Sequence, residues 1–297
     1  MLMTNLETDY RMAGIGELLW DILPDGKQMG GSPMNVVYHC QASGIQSVVI
    51  SAVGNDSLGD EIIKQVKVGG NSPDFIQISK DKPTGTVSVS LNKGIPDFNI
   101  HKDVAWDKLE WNDSLKELAG SLDAVAFGSL AQRDPVSRDT IKKFIREMRP
   151  DSIRVFDINL RQDYHSKELI KQALEMANVL KINDEEMPVL TEYFNLEGSV
   201  YDQIKLLIKL FNLDLVAFTK GSQGSVLYSQ ELTSIRSSSK VEVKDTVGAG
   251  DTFTGVLISG LLNKKPLEVI HMEASEKAAW VCSQQGGTPP YMTKEKT

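Results

Sequence analysis

Short apolar runs alternate with longer amphipathic stretches through the second half of the chain. Four runs predict buried strands: Ala124–Phe127, Ile153–Phe156, Val179–Ile182 and Leu215–Phe218. The stretches between them carry apolar residues at helical spacing and predict helices: Ser137–Met148, Lys167–Ala177 and Val200–Phe211. Strands that alternate with helices in this way predict a parallel sheet with helical crossovers.

The first third of the chain has a different pattern. Met12–Gly16 is predicted as a buried first strand and Ser47–Val53 as the next strand, and residues 17–24 alternate enough to be an exposed strand or its edge. Further short strands are predicted at Phe75–Ser79, Thr84–Asn92 and Phe98–Ile100. Within Thr84–Asn92, apolar residues alternate with Ser and Asn, which is typical of a sheet with one wet face. The sequence therefore predicts a second, smaller sheet.

The composition excludes several classes of partner. The formal net charge is −8 without a basic stripe, which argues against nucleic acid and anionic membranes as partners. No apolar run is long enough to span a bilayer, and the N-terminus lacks a signal-peptide pattern. Cys40 and Cys282 are isolated, so neither a disulfide framework nor a zinc site is expected. We expect one cytoplasmic domain over residues 1–297.

The segment Lys244–Phe253 carries the strongest chemical signal. Val247-Gly248-Ala249-Gly250 is small and leads into an apolar helix, Phe253–Leu262. Free N–H groups and the helix dipole at such a turn bind an anion, typically a phosphate. Asp251 lies at its mouth, where a carboxylate can take a proton from a hydroxyl that attacks a phosphoryl group. The alternative is a first-turn acid that only complements the dipole.

A second glycine-rich segment precedes a predicted helix that runs to about Ala42. Within Gly30–Asn35, Ser32 is predicted as the N-cap and Pro33 suits the first turn. The paired glycines let a ligand approach the backbone, and Asn35 projects an amide one turn along. Ser57 is likewise predicted to cap the helix ending near Val68.

Polar groups follow several of the predicted parallel strands, at the edge where ligands bind. Asp157–Arg161 follows one strand and Asn183–Glu186 follows the next. Arg161 is either a surface residue or a clamp for an anion or hydroxyls. Asn183 and Glu186 either cap a helix or supply hard oxygen ligands to magnesium. Asp21 is either a strand-end acid or an acceptor for hydroxyl groups.

Three of these segments resemble the signatures of the ribokinase-like (PfkB) carbohydrate kinases. Asp245–Asp251 reads Asp-Thr-x-Gly-Ala-Gly-Asp, Gly30–Asn35 reads Gly-Gly-x-x-x-Asn, and Asn183–Glu186 reads Asn-x-x-Glu. The resemblance extends from Gly14 to about Pro290. It implies a three-layer α/β/α core with a mainly parallel sheet, a β lid from about 17–30 and 84–101, and a nucleotide-binding part at about 180–297.

The resemblance also implies roles for individual residues. In the implied catalytic set, Asp251 is the base, the turn Gly248–Gly250 is the anion hole, and Arg161 assists. The set consists of Asp251, Gly248, Ala249, Gly250 and Arg161. The sugar-binding set is Asp21, Gly31, Ser32, Asn35, Arg161 and Asp251.

Binding of ATP, Mg²⁺ and a monovalent cation is implied in the same way. The ATP-binding set is Asn183, Thr219, Lys220, Gly221, Gly224, Gly248, Gly250 and Ser275. Asn183 and Glu186 would order Mg²⁺ through water. Asp245 and Val247 match loops that hold a monovalent cation in several members, which makes K⁺ a candidate.

The acceptor sugar is expected to be fructose, giving fructose 6-phosphate. Gly16–Asp21, Pro83–Thr86 and Asp157–Arg161 are most similar to fructokinase. The alternative is 2-keto-3-deoxygluconate, whose carboxylate would require more cations than Lys93 in the lid segment Thr84–Ile100. An alternative from another class is a sugar sensor without catalysis. The exposed face of the lid is a candidate homodimer interface.

Overall fold

The computed structural model of the chain describes residues 9–23, 26–92 and 95–291. Lys93, on which the choice between two sugars partly rests, lies outside the described residues. The strands in chain order are β1 Arg11–Ile15, β2 Leu19–Leu23, β3 Gly26–Gly30, β4 Gln46–Gly54, β5 Ile76–Ser79, β6 Gly85–Asn92, β7 Ile95–Ile100, β8 Ala124–Phe127, β9 Ile153–Asp157, β10 Val179–Asn183, β11 Leu215–Thr219, β12 Ser225–Ser229 and β13 Thr233–Arg236.

Helices occupy most of the chain between these strands. They are α1 Ser32–Ala42, α2 Ser57–Val68, α3 Asp113–Ser121, α4 Pro135–Glu147, α5 Lys167–Met176, α6 Met187–Phe194, α7 Val200–Phe211, α8 Ala249–Leu262 and α9 Leu267–Cys282. Helices α3 and α6 are absent from the sequence-based expectations.

The larger sheet has the order β13-β12-β11-β10-β9-β8-β1-β4-β5. Seven neighbouring strands of this sheet run parallel: β11, β10, β9, β8, β1, β4 and β5. Strands β12 and β13 are antiparallel to their neighbours. Side chains alternate between two apolar layers: Val125 and Phe127 belong to one cluster, whereas Ala124 and Ala126 belong to the other. Helices therefore cover both faces, and the predicted three-layer fold with a mainly parallel sheet is confirmed.

The smaller sheet has the order β3-β2-β6-β7. Strand β2 pairs in parallel with β6 and antiparallel with β3, and β6 pairs antiparallel with β7. Residues 16–18 join β1 directly to β2, and Gly30 leads back into α1. The smaller sheet is thus attached to the core beside the start of α1.

Helix α1 lies unusually close to both β1 and α8. A Cβ atom on Gly14 in β1 would stand 2.4 Å from the Pro33 carbonyl oxygen, and one on Gly255 in α8 would stand 2.8 Å from Cβ of His39. Only glycine permits such close approach of backbones. This packing brings the N-termini of α1 and α8 together.

Two predicted helix caps are wrong. The N-cap of α1 is Gly31, which has φ 123°, and Ser32 is the first helical residue. The Ser32 hydroxyl is used elsewhere, because it donates to Asp251. For α2 the N-cap is Asp56 instead of Ser57, and its carboxylate accepts from the N–H of Gly59 at 2.8 Å. In both cases the residue before the predicted cap occupies the N-cap position.

Candidate active site

The Asp251 carboxylate lies where the first turns of α1 and α8 meet. Ser32 Oγ donates to Asp251 Oδ1 at 2.6 Å, and Asn35 Nδ2 donates to Oδ2 at 2.8 Å. Both carboxylate oxygens therefore have a donor from α1, more than 200 residues away in sequence. The structure thus brings together three residues that the two signature segments singled out.

The turn before α8 is fixed by its own hydrogen bonds. Gly248 is the N-cap with φ 74°, and a Cβ there would stand 2.4 Å from Gly287 Cα, so a side chain is excluded. The N–H of Val247 donates to Asp245 Oδ1 at 3.0 Å, and that of Ala249 to the Thr246 carbonyl at 3.3 Å. Among the described residues, no acceptor is recorded for the N–H of Gly248 or Gly250. These two amides, at the positive end of the helix dipole, remain able to bind an anion.

A buried lysine lies beneath this turn, and sequence reasoning missed it. A Cβ on Gly250 would stand 3.0 Å from Lys181 Nζ, so the ammonium group adjoins the anion-binding turn. Lys181 is 5% exposed and lies in the middle of β10. The sequence did contain a signal for it, because Lys181 is the one charged residue in the otherwise apolar run Val179–Ile182. That run was interpreted only as a buried strand.

Lys181 is paired with Asp157 from the neighbouring strand. Their Nζ and Oδ1 atoms are 3.1 Å apart, and Thr254 Oγ1 donates to Asp157 Oδ2 at 2.9 Å. Burial raises the pKa of Asp157, although Lys181 opposes this. Burial disfavours the charged lysine, yet the surrounding carboxylates outweigh it and raise the pKa of Lys181. The ammonium group therefore stays charged and adds positive potential beneath the turn.

Asn183 and Glu186 bind each other around the end of β10. Asn183 Oδ1 accepts from the N–H of Glu185 and Glu186, and Glu186 Oε2 accepts from the N–H of Asn183 at 2.9 Å. Glu186 Oε1 also accepts from the N–H of Leu160 at 3.1 Å. Glu186 is 4% exposed, and burial raises its pKa while Lys181 lowers it. These bonds tie together the loops that follow β9 and β10.

Asp21 lies on β2 of the smaller sheet, beside Gly30 of β3. A Cβ on Gly30 would stand 2.4 Å from Asp21 Oδ2, so glycine there leaves room for the carboxylate. Burial raises the pKa of Asp21, and the positive charge of Arg161 opposes the rise. Arg161 is exposed and donates to the Leu160 carbonyl at 3.0 Å. Arg161 thus lies within electrostatic reach of Asp21.

The buried carboxyl group of Glu17 was also missed by sequence reasoning. Glu17 is 3% exposed, and its Oε2 atom has no hydrogen-bond partner in the described part of the chain. Burial raises the pKa of Glu17 from 4.5 to about 7; Asp251 adds to the rise and Arg161 opposes it. The sequence showed only an acid directly after a buried strand.

Five of the eight predicted nucleotide-binding residues lie at the end of β11, on the connection from β11 to β12, or on α9. The Lys220 N–H donates to the Gly224 carbonyl at 2.8 Å, and Gly224 has φ 97°. Lys220 also lines a groove of about 680 Å³ beside α6 and α7. Ser275 Oγ is 3.3 Å from Ser225 Oγ, which in turn is 2.8 Å from His271 Nε2. Thr219 and Gly221 belong to the same connection.

Asp245 joins the turn before α8 to the C-terminal segment. Its Oδ2 atom accepts from the N–H of Gly286 at 2.9 Å, while Oδ1 accepts from Val247. A Cβ on Gly287 would stand 3.2 Å from Asn35 Nδ2, so this segment closes one side of the site. The monovalent cation site at Asp245 and Val247 stays a prediction.

A carboxylate beside an amide turn at the carboxyl edge of a parallel sheet is an arrangement that can serve phosphoryl transfer to a hydroxyl group. The profile of the pfkB family carbohydrate kinases matches residues 25–294. The chain therefore belongs to the pfkB family of carbohydrate kinases, as its motifs predicted, and is a sugar phosphotransferase.

Named relatives agree with this assignment. An uncharacterized sugar kinase of Pyrococcus horikoshii is 30% identical over 279 residues, covering 88% of this chain and 86% of its own. Its crystal structure in complex with ATP has a TM-score of 0.79 at 28% identity, covering 93% of this chain and 94% of that one. An ATP-dependent 6-phosphofructokinase of Thermoanaerobacterium thermosaccharolyticum is 27% identical over 297 residues, covering 92% and 89%. Fructokinase-2 of Solanum habrochaites is 24% identical over 292 residues, covering 92% and 88%.

Across residues 9–23, 26–92 and 95–291, no helix combines the length and the apolar character that crossing a bilayer requires.

The Lys181–Asp157 pair yields a prediction about stability. Lys181→Met should lower the free energy of unfolding by about 3–5 kcal/mol, because Asp157 would remain as a buried charge without a cation. Adding Asp157→Asn should recover much of that loss. Urea unfolding followed by circular dichroism measures both. Lys171→Met, which breaks an exposed pair with Glu175, is the control and should change stability by less than about 1 kcal/mol. Equal effects of Lys181→Met and Lys171→Met would contradict the buried pair.

Glu17 yields a prediction about pH. Because the pKa of Glu17 is raised from 4.5 to about 7 in the folded state, its burial costs stability as pH rises through that window. This shift in pKa corresponds to a loss of about 3 kcal/mol in the free energy of unfolding. The loss is complete above pH 7 and absent below pH 4.5. Glu17→Gln should therefore be more stable than the natural protein at pH 8 and not at pH 4. Unfolding curves at several pH values measure this, and parallel curves for the two proteins would refute it.

Proposed function

We propose that the protein transfers the γ-phosphoryl group of ATP to a primary hydroxyl of fructose, giving fructose 6-phosphate, with Asp251 as the general base. One observation carries this proposal. The Asp251 carboxylate is held by Ser32 and Asn35 directly at the amide turn before α8. A base and an anion site are thus adjacent, as attack of a hydroxyl on a phosphoryl group requires.

In the proposed reaction, Asp251 takes the proton from the sugar hydroxyl as its oxygen attacks the γ-phosphorus. The new P–O bond forms while the bond to the β-phosphate oxygen breaks, and ADP leaves. The amides of Gly248 and Gly250 stabilise negative charge on the transferring group, with Ala249 completing the turn. Lys181 adds positive potential from below.

The sugar is proposed to lie between α1 and the smaller sheet. Asp21 and Asn35 would bond its hydroxyls, and Gly31 would let it approach the backbone. Arg161 would clamp the sugar or the transferring phosphoryl group. The electrostatic effect of Arg161 on Asp21 supports a shared position at this rim. Closure of the smaller sheet as a lid would exclude water, a competing acceptor.

The nucleotide is proposed to lie along Thr219–Gly224, with Lys220 near a phosphate and Ser275 lining the adenine pocket. Asn183 and Glu186 offer the hard oxygens that suit Mg²⁺, but their oxygens already accept backbone hydrogen bonds. They therefore fit the ion through bridging waters rather than directly. When bound, Mg²⁺ neutralises charge on the β- and γ-phosphates. K⁺ beside Asp245 and Val247, and a homodimer through the exposed face of the smaller sheet, remain further proposals.

The acceptor can be identified with a panel of sugars. Coupled assay of ADP release should give the highest kcat/KM with fructose, and much lower values with 2-keto-3-deoxygluconate, ribose and fructose 6-phosphate. Fructose 6-phosphate belongs in the panel because one relative is a 6-phosphofructokinase. A clear preference for another acceptor would overturn fructose while leaving the sugar kinase in place. Sugar binding by calorimetry without any ADP release would instead support a sensor.

Asp251→Asn tests the base. The variant should bind fructose and ATP about as the natural protein does, because the amide keeps the size of the side chain. Its kcat should fall by about a hundredfold to ten-thousandfold, since proton transfer loses its acceptor. Calorimetry and the ADP-release assay measure the two effects. A kcat within a few-fold of the natural value would reject Asp251 as the base.

A further inference from the structure

His39 is a fully buried residue of α1 that contacts two other segments beside the candidate active site. Its Nε2 atom is 2.8 Å from the Gly287 carbonyl oxygen and 2.9 Å from Thr252 Oγ1. Its Nδ1 atom is 2.6 Å from the Tyr291 hydroxyl. The imidazole therefore joins α1 to the first turn of α8 and, at two points, to the segment 286–291.

The partners of His39 fix which nitrogen carries its proton. A carbonyl oxygen can only accept, so Nε2 must be protonated to form a hydrogen bond with Gly287. Because burial lowers the pKa of His39 to about 4, the ring is neutral at physiological pH and carries only this proton. Nδ1 is then an acceptor, to which the Tyr291 hydroxyl donates. Burial also raises the pKa of Tyr291, so that hydroxyl keeps its proton.

The N–H of Nε2 is linked to the anion-binding turn by two contacts. Thr252 Oγ1 donates to the Gly248 carbonyl at 2.7 Å, so its oxygen is free to accept from Nε2. The second partner of Nε2, Gly287, lies against the same turn. A Cβ on Gly287 would stand 3.2 Å from Gly248 Cα and equally far from Asn35 Nδ2. The imidazole is thereby connected to the turn and to a donor that holds Asp251.

The segment 286–291 is also anchored by contacts that do not involve the imidazole. Tyr291 stacks on Trp280 of α9, with ring centroids 5.0 Å apart. Tyr38 donates its hydroxyl to the Pro289 carbonyl at 2.7 Å. Since these contacts hold the segment as a whole, the hydrogen bond from Nε2 is left to fix the orientation of the peptide at its carbonyl acceptor.

We propose that His39 is a positioning residue for phosphoryl transfer. Its Nε2–H fixes Thr252 and Gly287, and these hold the amide turn before α8 and the Asn35 side chain in register. The inference rests on the proposed function, in which the amides of this turn stabilise the transferring group and Asp251 is the base. Loss of the link should misalign the base and the anion site, so kcat should fall more than binding weakens.

Two substitutions at His39 separate positioning from packing. His39→Leu keeps an apolar side chain but removes both nitrogens. Its kcat with the best acceptor of the sugar panel should fall by about tenfold to a hundredfold, since small misplacements of reacting groups are costly. The KM values for ATP and the sugar should change little. His39→Gln places an amide N–H near the position of Nε2, so it should recover most of the lost kcat.

Tyr38→Phe is the matched control. It removes a hydroxyl that bonds the same segment and leaves the hydrogen bonds of His39 in place. Its kcat should match that of the natural protein, measured by ADP release well below the melting temperature of each variant. Normal turnover in His39→Leu would overturn the proposal, and so would an equal loss of kcat in His39→Leu and either His39→Gln or Tyr38→Phe.

Thr252→Val keeps the test decisive if His39→Leu does not fold. It removes only the hydroxyl between Nε2 and the Gly248 carbonyl, so kcat should again fall while the KM values change little. An unchanged kcat in Thr252→Val would contradict the proposed link.

The position of the proton can be measured in the natural protein. With ¹⁵N-labelled histidine, nuclear magnetic resonance at neutral pH should show a bonded proton on His39 Nε2 and none on Nδ1. The signal is assigned by its absence from His39→Gln. A proton on Nδ1 instead would remove the donor to Gly287 and overturn the proposal.

The proposed function fails separately. If Asp251→Asn loses turnover while His39→Leu does not, only the positioning role is wrong. If Asp251→Asn remains active, the assignment of the base is wrong, whatever the effect of His39→Leu. A fall in kcat for His39→Leu would then still support its hold on the anion-binding turn.

Discussion

The arrangement of the site depends on the contact between α1 and α8. Gly255 of α8 meets His39 and Val36 of α1 with almost no separation, and Cys40 Sγ donates to the Gly255 carbonyl at 3.2 Å. Because the helices are in close contact at this point, their first turns lie near enough for Ser32 and Asn35 to reach Asp251. Two helix dipoles then direct positive potential at one place, which Asp251 occupies. Any residue that pushed α1 and α8 apart would disperse the donors that hold this carboxylate.

That local potential explains how an acidic protein can bind a polyphosphate. The net charge of −8 opposes a nucleotide at long range, but salt screens such fields within about 10 Å. At short range, the free amides before α8 point at the anion site, and the ammonium group of Lys181, although paired with Asp157, adjoins the same turn. Asp157 keeps Lys181 charged in spite of burial, while Thr254 satisfies its second oxygen. The paired acid therefore makes a buried cation available beneath the turn.

Sequence patterns predicted the parallel strands of the larger sheet to within a residue or two, because buried parallel strands are continuous apolar runs. Strands β3 and β13 were not predicted, β7 begins three residues before the predicted start at Phe98, and the segment interpreted as an exposed strand is buried at Leu18, Leu19 and Trp20. The same rule hid Lys181, since one charged residue in Val179–Ile182 does not disturb that pattern. Ser32 was assigned as a cap from local preference, whereas a partner 219 residues away determines where its hydroxyl points. The burial of Glu17 and the hydrogen bond from Ser32 to Asp251 both depend on tertiary packing, so local sequence patterns did not predict them. The family resemblance indicated that Gly30–Asn35 and Asp245–Asp251 belong to one site. The structure shows which atoms of the two segments are in contact.

The segment of residues 16–18 joins the smaller sheet to the core. Because it alone separates β1 from β2, it is a short covalent link between the two sheets. The smaller sheet cannot change its angle to the core without moving this segment, because β1 is fixed between β4 and β8. Such a movement would act on the close backbone contact between Glu17 and Gly31, and Gly31 precedes Ser32, the donor to Asp251. The position of the smaller sheet and the orientation of the Asp251 carboxylate would then be physically coupled through this contact.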